Sequence, residues 1–431
     1  MPIIRSLSSA ACRSVRRSPL KDSIAELVST GRQHLCIAEH VQSTAYRGSS
    51  YCFVCQLVHT ASLVNILTVN VGSSSIRLAL YDSRNGQCVD SVHWPDHEVS
   101  AAQRLQEFTG KHAAVHVDAI GHRVVHGGDT FTHSVTIDAP VETRIEQLGA
   151  LAPLHNPLAL KWIRACRSVF GEVVRQIAVF DTAFFAALPE MARCYAIPHA
   201  LAERHHLHRY GFHGLAHRGM WQQWRQLPEA AATQGRVISL QLGSGCSIAA
   251  IRDGRPIDTS MGYSPLEGLV MATRPGDIDA GVVLALQQQA GLDAKQVEDL
   301  LNHASGLSGM SALSGDLRAL LQSSEPLPTL AVNVYCYRIR KYIGAYLAAL
   351  GGADAVLIGG GVGEHLPEIR RRMLADMQWA GLAIDATLNA AAIGVPARID
   401  AQGSHIAVHV LPVDEGQILL DEVMQLLQAR S

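Results

Sequence analysis

Charged residues are scarce in this sequence, and neither sign prevails. Lys and Arg number 36 against 38 Asp and Glu, which leaves a formal net charge of −2, and only 17% of the 431 residues are charged. So balanced a chain has no general attraction for nucleic acid or for an anionic membrane, and any anion site must be built from local groups. Long apolar runs are missing as well: none reaches the roughly 18 residues that a spanning helix needs. The nine cysteines follow no framework spacing. In a chain of this length that points to free thiols in a reducing compartment, the cytoplasm. Cys52 and Cys55 are spaced as CxxC, but no second pair lies nearby and a zinc knuckle is not expected.

What the sequence does have is length and apolar content enough for two domains with proper cores. Residues 1–62 stand apart from the rest. Arg5, Arg13, Arg16, Arg17 and Lys21 are set among Ser and Ala before the first acid, Asp22. That bias fits a transit peptide and equally a start read too far upstream, so the segment is expected to be a poorly ordered or dispensable extension, with the working chain beginning near Leu63.

From Leu67 to Asp82 an apolar, β-favouring run enters the turn Gly72-Ser73-Ser74-Ser75 and an alternating run leaves it: strand, tight turn, strand. Gly72 lets a phosphate approach the backbone, the serines add hydroxyl donors, and Arg77 lies within reach. Ile238 to Ile251 repeats the pattern, with Gly72 matching Gly243, Ser73 matching Ser244 and Asp82 matching Asp253. Two such turns far apart in one chain suggest two related domains that present phosphate turns to a shared cleft.

Further motifs carry chemistry. Ala119 to Asp129 is an apolar run that breaks at Gly127-Gly128, and Arg123 inside it needs an anionic partner, either a ligand or a structural acid. Pro153-Leu154-His155-Asn156-Pro157 is a stiff loop that opens a helix. The strand Ile177 to Phe180 ends in Asp181, which serves either a site or a helix cap. His213 and His217 are spaced to share a helical face, yet no cysteine or carboxylate completes a zinc set. Met261 to Asp279 is pinned by Pro and Gly and offers Arg274 on a rigid turn. Strand Ala355 to Ile358 runs into Gly359-Gly360-Gly361, and its late position and the lack of a following acidic strand end argue against a dinucleotide fingerprint.

Taken in order, the Asn70 turn, His122 to Gly128, Pro153 to Pro157, Phe180 to Phe184, Arg209 to Gly214 and Met261 to Asp279 resemble the acetate kinase family. The resemblance runs from about residue 65 to the C-terminus. It implies an α/β fold of the actin-like superfamily: two duplicated actin-like (ribonuclease H-like) domains, each with a mixed sheet, and a cleft between them. The first domain is expected over 63–181 plus 415–431 and the second, on the nucleotide side, over 182–414.

The activity implied is reversible transfer of the ATP γ-phosphoryl group to acetate, giving acetyl phosphate and ADP. By the same matching, Arg123 and Arg274 grip the acceptor and the moving phosphoryl group, His213 and His155 donate to it, and Asp181 orients Arg123 or a metal-bound water. A carboxylate acceptor has no proton to lose, so Asp181 is not needed as a base. Asn70 and Glu415 hold Mg²⁺, for which Mn²⁺ can substitute. Arg77, with Gln241, Leu242, Gly243, Ser244 and Gly245, meets the nucleotide phosphates. Gly361, Val362, Gly363, Glu364 and His365 do the same from the second glycine turn, and Asp316, Leu317 and Arg318 contact adenosine. Val125, Leu154, Phe212 and Pro265 form a small apolar pocket for the acyl tail. A homodimer is implied, and neither nucleic acid nor membrane.

Three departures from the family pattern fall on the nucleotide side and leave the phosphoryl donor open: Arg77 for Lys, Gln241 to Cys246 for a His-led Asn-Gly-Ser turn, and His365 for Asn. The acyl chain is open too, since one methylene in an apolar pocket is worth only about 1–3 kcal/mol, and propionate or butyrate are alternatives. A chain that binds nucleotide without turnover is a further alternative, against which the joint presence of Arg123, Asp181, His213, Arg274 and Glu415 speaks.

Overall fold

Two short apolar strands joined by the Gly72 turn begin a sheet, and the same unit begins a second one. The structure is a computed structural model that describes residues 65–72, 75–95, 99–112, 115–153 and 155–429. The expectations for residues 1–62, Ser73 and Leu154 fall outside the described residues. Strands β1 (Asn65–Val71), β2 (Ile76–Asp82), β3 (Gln87–Trp94), β4 (Ala119–Val124), β5 (Val135–Thr136) and β6 (Arg175–Phe180) form one sheet in the order 3-2-1-4-6-5. Strands β7 (Arg236–Leu242), β8 (Cys246–Arg252), β9 (Arg255–Thr259), β10 (Ala355–Gly359), β11 (Ala397–Arg398) and β12 (Ala407–Val410) form the other in the order 9-8-7-10-12-11. Strand for strand the two orders are the same. In each, the first two strands pair antiparallel and the first and fourth parallel.

The register sharpens the repeat and corrects one equivalence. Asn70 faces Arg77 across the first hairpin, and Gln241 faces Ser247 across the second. Asn70 therefore corresponds to Gln241, and Arg77 to Ser247. The second turn, Gly243 to Gly245, is one residue shorter than Gly72 to Ser75, so Asp82, opposite Asn65, corresponds to Arg252, opposite Arg236, and not to Asp253. Asp253 instead takes a left-handed φ of 48° in the turn that follows.

Alternation along the strands gives each sheet two apolar faces, and helices cover both. Leu67, Val69 and Leu78 pack under α1 (Ala101–Gly110) and α2 (Asn156–Phe170), through Leu105, Phe108 and Trp162. On the second sheet, α3 (Gly214–Arg225) covers one face through Met220 and Trp224. Helix α4 (Ala280–Gln288) buries none of its residues. The 25-residue α5 (Pro326–Leu350) covers the other face of that sheet, and α6 (Gly360–His365) and α7 (Pro367–Met373) follow β10. The last helix, α8 (Glu415–Ala429), returns to the first sheet and packs Leu419 and Val423 against Ile66, Ala119 and Ile177. Helices α3 and α8 meet between the sheets, where Gly219 comes so close to Ile418 that a Cβ would collide with it. Both sheets lie in one compact unit, Ser62–Ser431.

Candidate active site

The chain reversals at the ends of β1, β4, β6, β7 and β10 open onto one cavity of about 470 Å³. Its floor holds Arg123, His155, Asp181 and His213; Arg274 and Pro265 reach it from the Met261 to Asp279 segment. Gly72, Ser75 and Arg77 come from the first glycine turn and the strand after it, and Gln241 to Gly245, without Leu242, from the second. Gly360, Gly361, Glu364 and His365 enter from α6, and Val413 and Glu415 from the start of α8.

Arg123 stands one residue before the end of β4, beside the end of β6. Its Nε and Nη2 donate to Asp181 Oδ2 at 3.0 and 2.5 Å, and its Nη1 donates to Asn70 Oδ1 at 3.1 Å and Glu415 Oε2 at 3.3 Å. Its anionic partner is thus structural. Burial alone lowers the affinity of the guanidinium for its proton, but Asp181 and Glu415 outweigh that and hold Arg123 above its ordinary range. Burial pushes the Asp181 carboxyl up, against the pull of Arg123. Asp181 Oδ1 is buried with no hydrogen-bond partner, although its residue lines the cavity. A buried acceptor of that kind is costly and invites a cation or a donor.

Arg274 is arranged in the opposite way. Among the described residues its guanidinium makes one hydrogen bond, from Nη1 to the Pro265 carbonyl, 3.0 Å. Among the described residues no carboxylate pairs with it, and burial lowers its pKa. The loop around it is fixed by backbone bonds from Met271 N to Arg274 O, from Ser305 N to Thr273 O and from Leu307 N to Met271 O. Gly306, at φ 60°, fits against Met271 and Arg274 only because it has no side chain. A half-buried, uncompensated guanidinium on a rigid loop is a receptor for an anion.

His213 caps α3 in a left-handed conformation, φ 59°, which a residue with a side chain adopts at a cost of about 1–2 kcal/mol. The next residue, Gly214, abuts the Asp181 carbonyl and donates its N–H to it, 3.1 Å, which brings His213 and Asp181 together. A Cβ on Gly245 would lie 3.4 Å from both His213 Nε2 and Arg274 Nη2, so these atoms converge on the second glycine turn. Burial, and then the charges of Arg123 and Arg274, lower the His213 pKa to about 3; burial and the same two arginines, Arg274 first, lower that of His155 to about 4. Both imidazoles are neutral near pH 7. His155 is held near Arg123 because Asn156, at the start of α2, exchanges hydrogen bonds with the backbone of His126 at 3.1 and 3.0 Å.

The residues assigned to an acyl pocket and to phosphates divide. Val125, Phe212 and Pro265 line the cavity as expected. Leu242 and Leu317 are core residues, Val362 packs against the same core, and Gly363 presses on Ile358 where a Cβ would not fit. Asp316 caps a short helix by accepting from Arg318 N at 2.9 Å, and none of Asp316, Leu317 and Arg318 lines the cavity. Glu364, expected to meet phosphate, turns its carboxylate onto Gly360 N, 2.8 Å, and fixes the turn. Gln241 Oε1 is a second buried acceptor without a partner. Sequence reading missed Gly360 and Val413 as lining residues, and it missed Ser239 and Ser247, two buried hydroxyls within hydrogen-bond reach of His217. Two serines spaced to face one way on adjacent strands were the available signal.

The pattern of the Acetokinase family matches residues 84–421. An acetate kinase of Solibacter usitatus is 46% identical over 313 residues, 72% of this chain and 76% of that protein. One from Bacteroides thetaiotaomicron is 36% identical over 399 residues, 85% of this chain and all of that protein. Among solved structures, an acetate kinase of Porphyromonas gingivalis superposes with a TM-score of 0.76 at 34% identity, over 84% of this chain and all of that one. A propionate kinase of Francisella tularensis superposes equally well, with a TM-score of 0.77 at 32% identity, over 84% of this chain and 99% of that one.

Proposed function

The chain belongs to the Acetokinase family, and from that premise we propose how its residues divide the work of the reaction it catalyses, transfer of the γ-phosphoryl group of ATP to acetate. Such a transfer asks for little covalent chemistry. Donor and acceptor oxygens must be held in line and the charge on the equatorial oxygens met. The single observation that carries the assignment is that Arg274, without a carboxylate partner, faces a cavity shared with Arg123 and two neutral imidazoles. Arg274 binds the moving phosphoryl group through a planar fork. His213 donates to an equatorial oxygen and His155 to a neighbouring one. Arg123 orients the acceptor carboxylate, and Asp181 and Asn70 fix its plane.

The donor set around Arg123 also fits a hard cation. Asn70 Oδ1, Glu415 Oε2 and the unpartnered Asp181 Oδ1 are all oxygens, the ligand type Mg²⁺ prefers. Mg²⁺ held there would supply positive charge to offset that of the phosphate groups. We assign Asn70 and Glu415 to hold it, with Asp181 beside them. Arg77, Gln241, Gly243 to Gly245 and the α6 turn are assigned to the nucleotide, the extent of whose adenosine contacts with Asp316 to Arg318 rests on the family resemblance alone. The first domain is taken as 63–181 with 415–431, and the second as 182–414. A homodimer is supported by α4, whose Val282 and Leu284 are 44% and 53% exposed. A cytoplasmic setting is supported by the free thiols of Cys88, Cys166, Cys194, Cys246 and Cys336.

Val125, Phe212 and Pro265 make the acyl wall apolar without fixing its depth, and the likeness to a propionate kinase keeps propionate as the second reading. Trapping the acyl phosphate with hydroxylamine, in parallel reactions with ATP, Mg²⁺ and acetate, propionate or butyrate, ranks the acceptors. Full activity of Arg274→Ala in that assay would refute the assigned phosphoryl clamp.

A further inference from the structure

Behind His213 runs a chain of three buried groups that the phosphoryl transfer itself does not use. His213 Nδ1 lies 2.9 Å from Ser247 Oγ, Ser247 Oγ lies 2.8 Å from His217 Nε2, and His217 Nδ1 lies 2.9 Å from Ser239 Oγ. Ser239, Ser247 and His217 are fully buried. His213 caps α3 and His217 lies in its first turn, and the two serines come from the paired strands β7 and β8, so the contact is fixed by helix-on-sheet packing.

Proton counting leaves two ways to fill this chain with no hydrogen stranded between the histidines, because each neutral imidazole and each hydroxyl carries one hydrogen to give; a third filling, in which Ser247 accepts from both imidazoles, leaves its own buried hydroxyl hydrogen without an acceptor among the described residues. In one, Ser239 donates to His217 Nδ1, His217 Nε2–H donates to Ser247, and Ser247 donates to His213 Nδ1. His213 then presents Nε2–H to the cavity. In the other every bond is reversed, and His213 presents a bare lone pair. The far end decides between them. Reversed, the Ser239 hydroxyl has, among the described residues, only the Met220 thioether to donate to, at 3.9 Å and a weak acceptor; in the first arrangement it has an imidazole nitrogen. At the near end no hydrogen bond joins His213 to Arg274 that would reward a lone pair. An incoming phosphoryl oxygen needs a donor.

We propose that Ser239, His217 and Ser247 are positioning residues that lock His213 in its Nε2–H tautomer, so that it enters the reaction as a preset hydrogen-bond donor and not as a base. The inference rests on the assignment of His213 as a donor to the phosphoryl group. Burial keeps His217 well below its ordinary pKa, with a smaller contribution from His213, so the chain holds no net charge near neutrality. It ends in the apolar interior at Met220 and offers no route for a proton to leave.

The test is ¹⁵N NMR of enzyme labelled at histidine, with the His213 signals assigned by their loss in His213→Ala. The expected result is a protonated Nε2 and an unprotonated, hydrogen-bonded Nδ1 at His213. A His213 protonated at Nδ1 overturns the inference. Ser247→Ala is expected to give a mixture of tautomers and to lower kcat about tenfold, the worth of one lost hydrogen bond, with KM for ATP and for acetate within about threefold. An unchanged tautomer and an unchanged kcat in a folded Ser247→Ala also overturn it. Should that variant fail to fold, Ser239→Ala removes the terminal donor alone and is read the same way, with a smaller effect on kcat. His213→Ala separates the two layers: retained activity sinks the donor role, while the tautomer seen in the unaltered enzyme still decides the relay.

Discussion

Arg274 and Arg123 carry the same charge into one cavity but are balanced differently, and their substitutions should differ accordingly. Arg274 has no acid beside it, so Arg274→Ala should leave the melting temperature nearly unchanged while kcat falls roughly 10³-fold, by analogy with other arginine clamps; Arg274→Lys should recover little, since a point charge cannot replace the fork. Asp181→Ala strips the nearer of two carboxylates from buried Arg123, leaving Glu415, and should cost about 3 kcal/mol in denaturant unfolding as well as activity. The buried histidines make a separate prediction. Burial, foremost, holds His122, His126 and His155 at about 4 and His213 at about 3. Unfolded, each takes a proton near pH 6.5, so below that pH the unfolded chain binds more protons than the fold. Stability should be flat above about pH 7 and fall as the pH drops from about 6.5 towards 4, by up to ~1.4 kcal/mol per pH unit for each histidine. Unfolding midpoints that match at pH 7.5 and pH 5.5 would contradict this. The sequence made Arg123, Asp181, His213 and Arg274 legible because each sits at the end of an apolar run or inside a Pro- and Gly-pinned segment. It could not reveal that Arg123 is already paired and Arg274 is not, since that depends on which strand ends lie side by side.

At the level of elements, strand-turn-strand units were readable from alternation and glycine, and the repeat between them from matched turns. The one-residue difference between Gly72 to Ser75 and Gly243 to Gly245 was not readable, because only the pairing register exposes it. Likewise Asp316 has the composition of a ligand-binding loop residue and serves as a helix cap, two uses that one local sequence allows. Helices α3 and α8 meet between the sheets, and Gly219 packs directly on Ile418 there. Gly219→Ala should destabilise the protein by about 1–3 kcal/mol through overpacking against Ile418, and Ile418→Ala, harmful alone, should offset part of that loss in the double variant. Additive losses in denaturant unfolding would show that the two helices do not meet there.

For the molecule as a whole, two equivalent sheets joined through a helix pair present their glycine turns to one cavity, the layout of a cleft that closes on its ligands. Small-angle X-ray scattering should show a smaller radius of gyration with a non-hydrolysable ATP analogue, Mg²⁺ and acetate together than with none of them. An unchanged radius would mean that the cleft is already closed. The sequence by itself determined the repeat, the two glycine-rich turns and the residue types that phosphoryl transfer needs, because period, turn chemistry and charge are local properties written in neighbouring residues. Tertiary structure alone decided which of those groups are neutralised, which imidazole nitrogen faces the cavity, and which glycines admit a neighbour. Those depend on atoms hundreds of residues apart along the chain, and a buried charge or tautomer has no meaning until packing has removed the water around it.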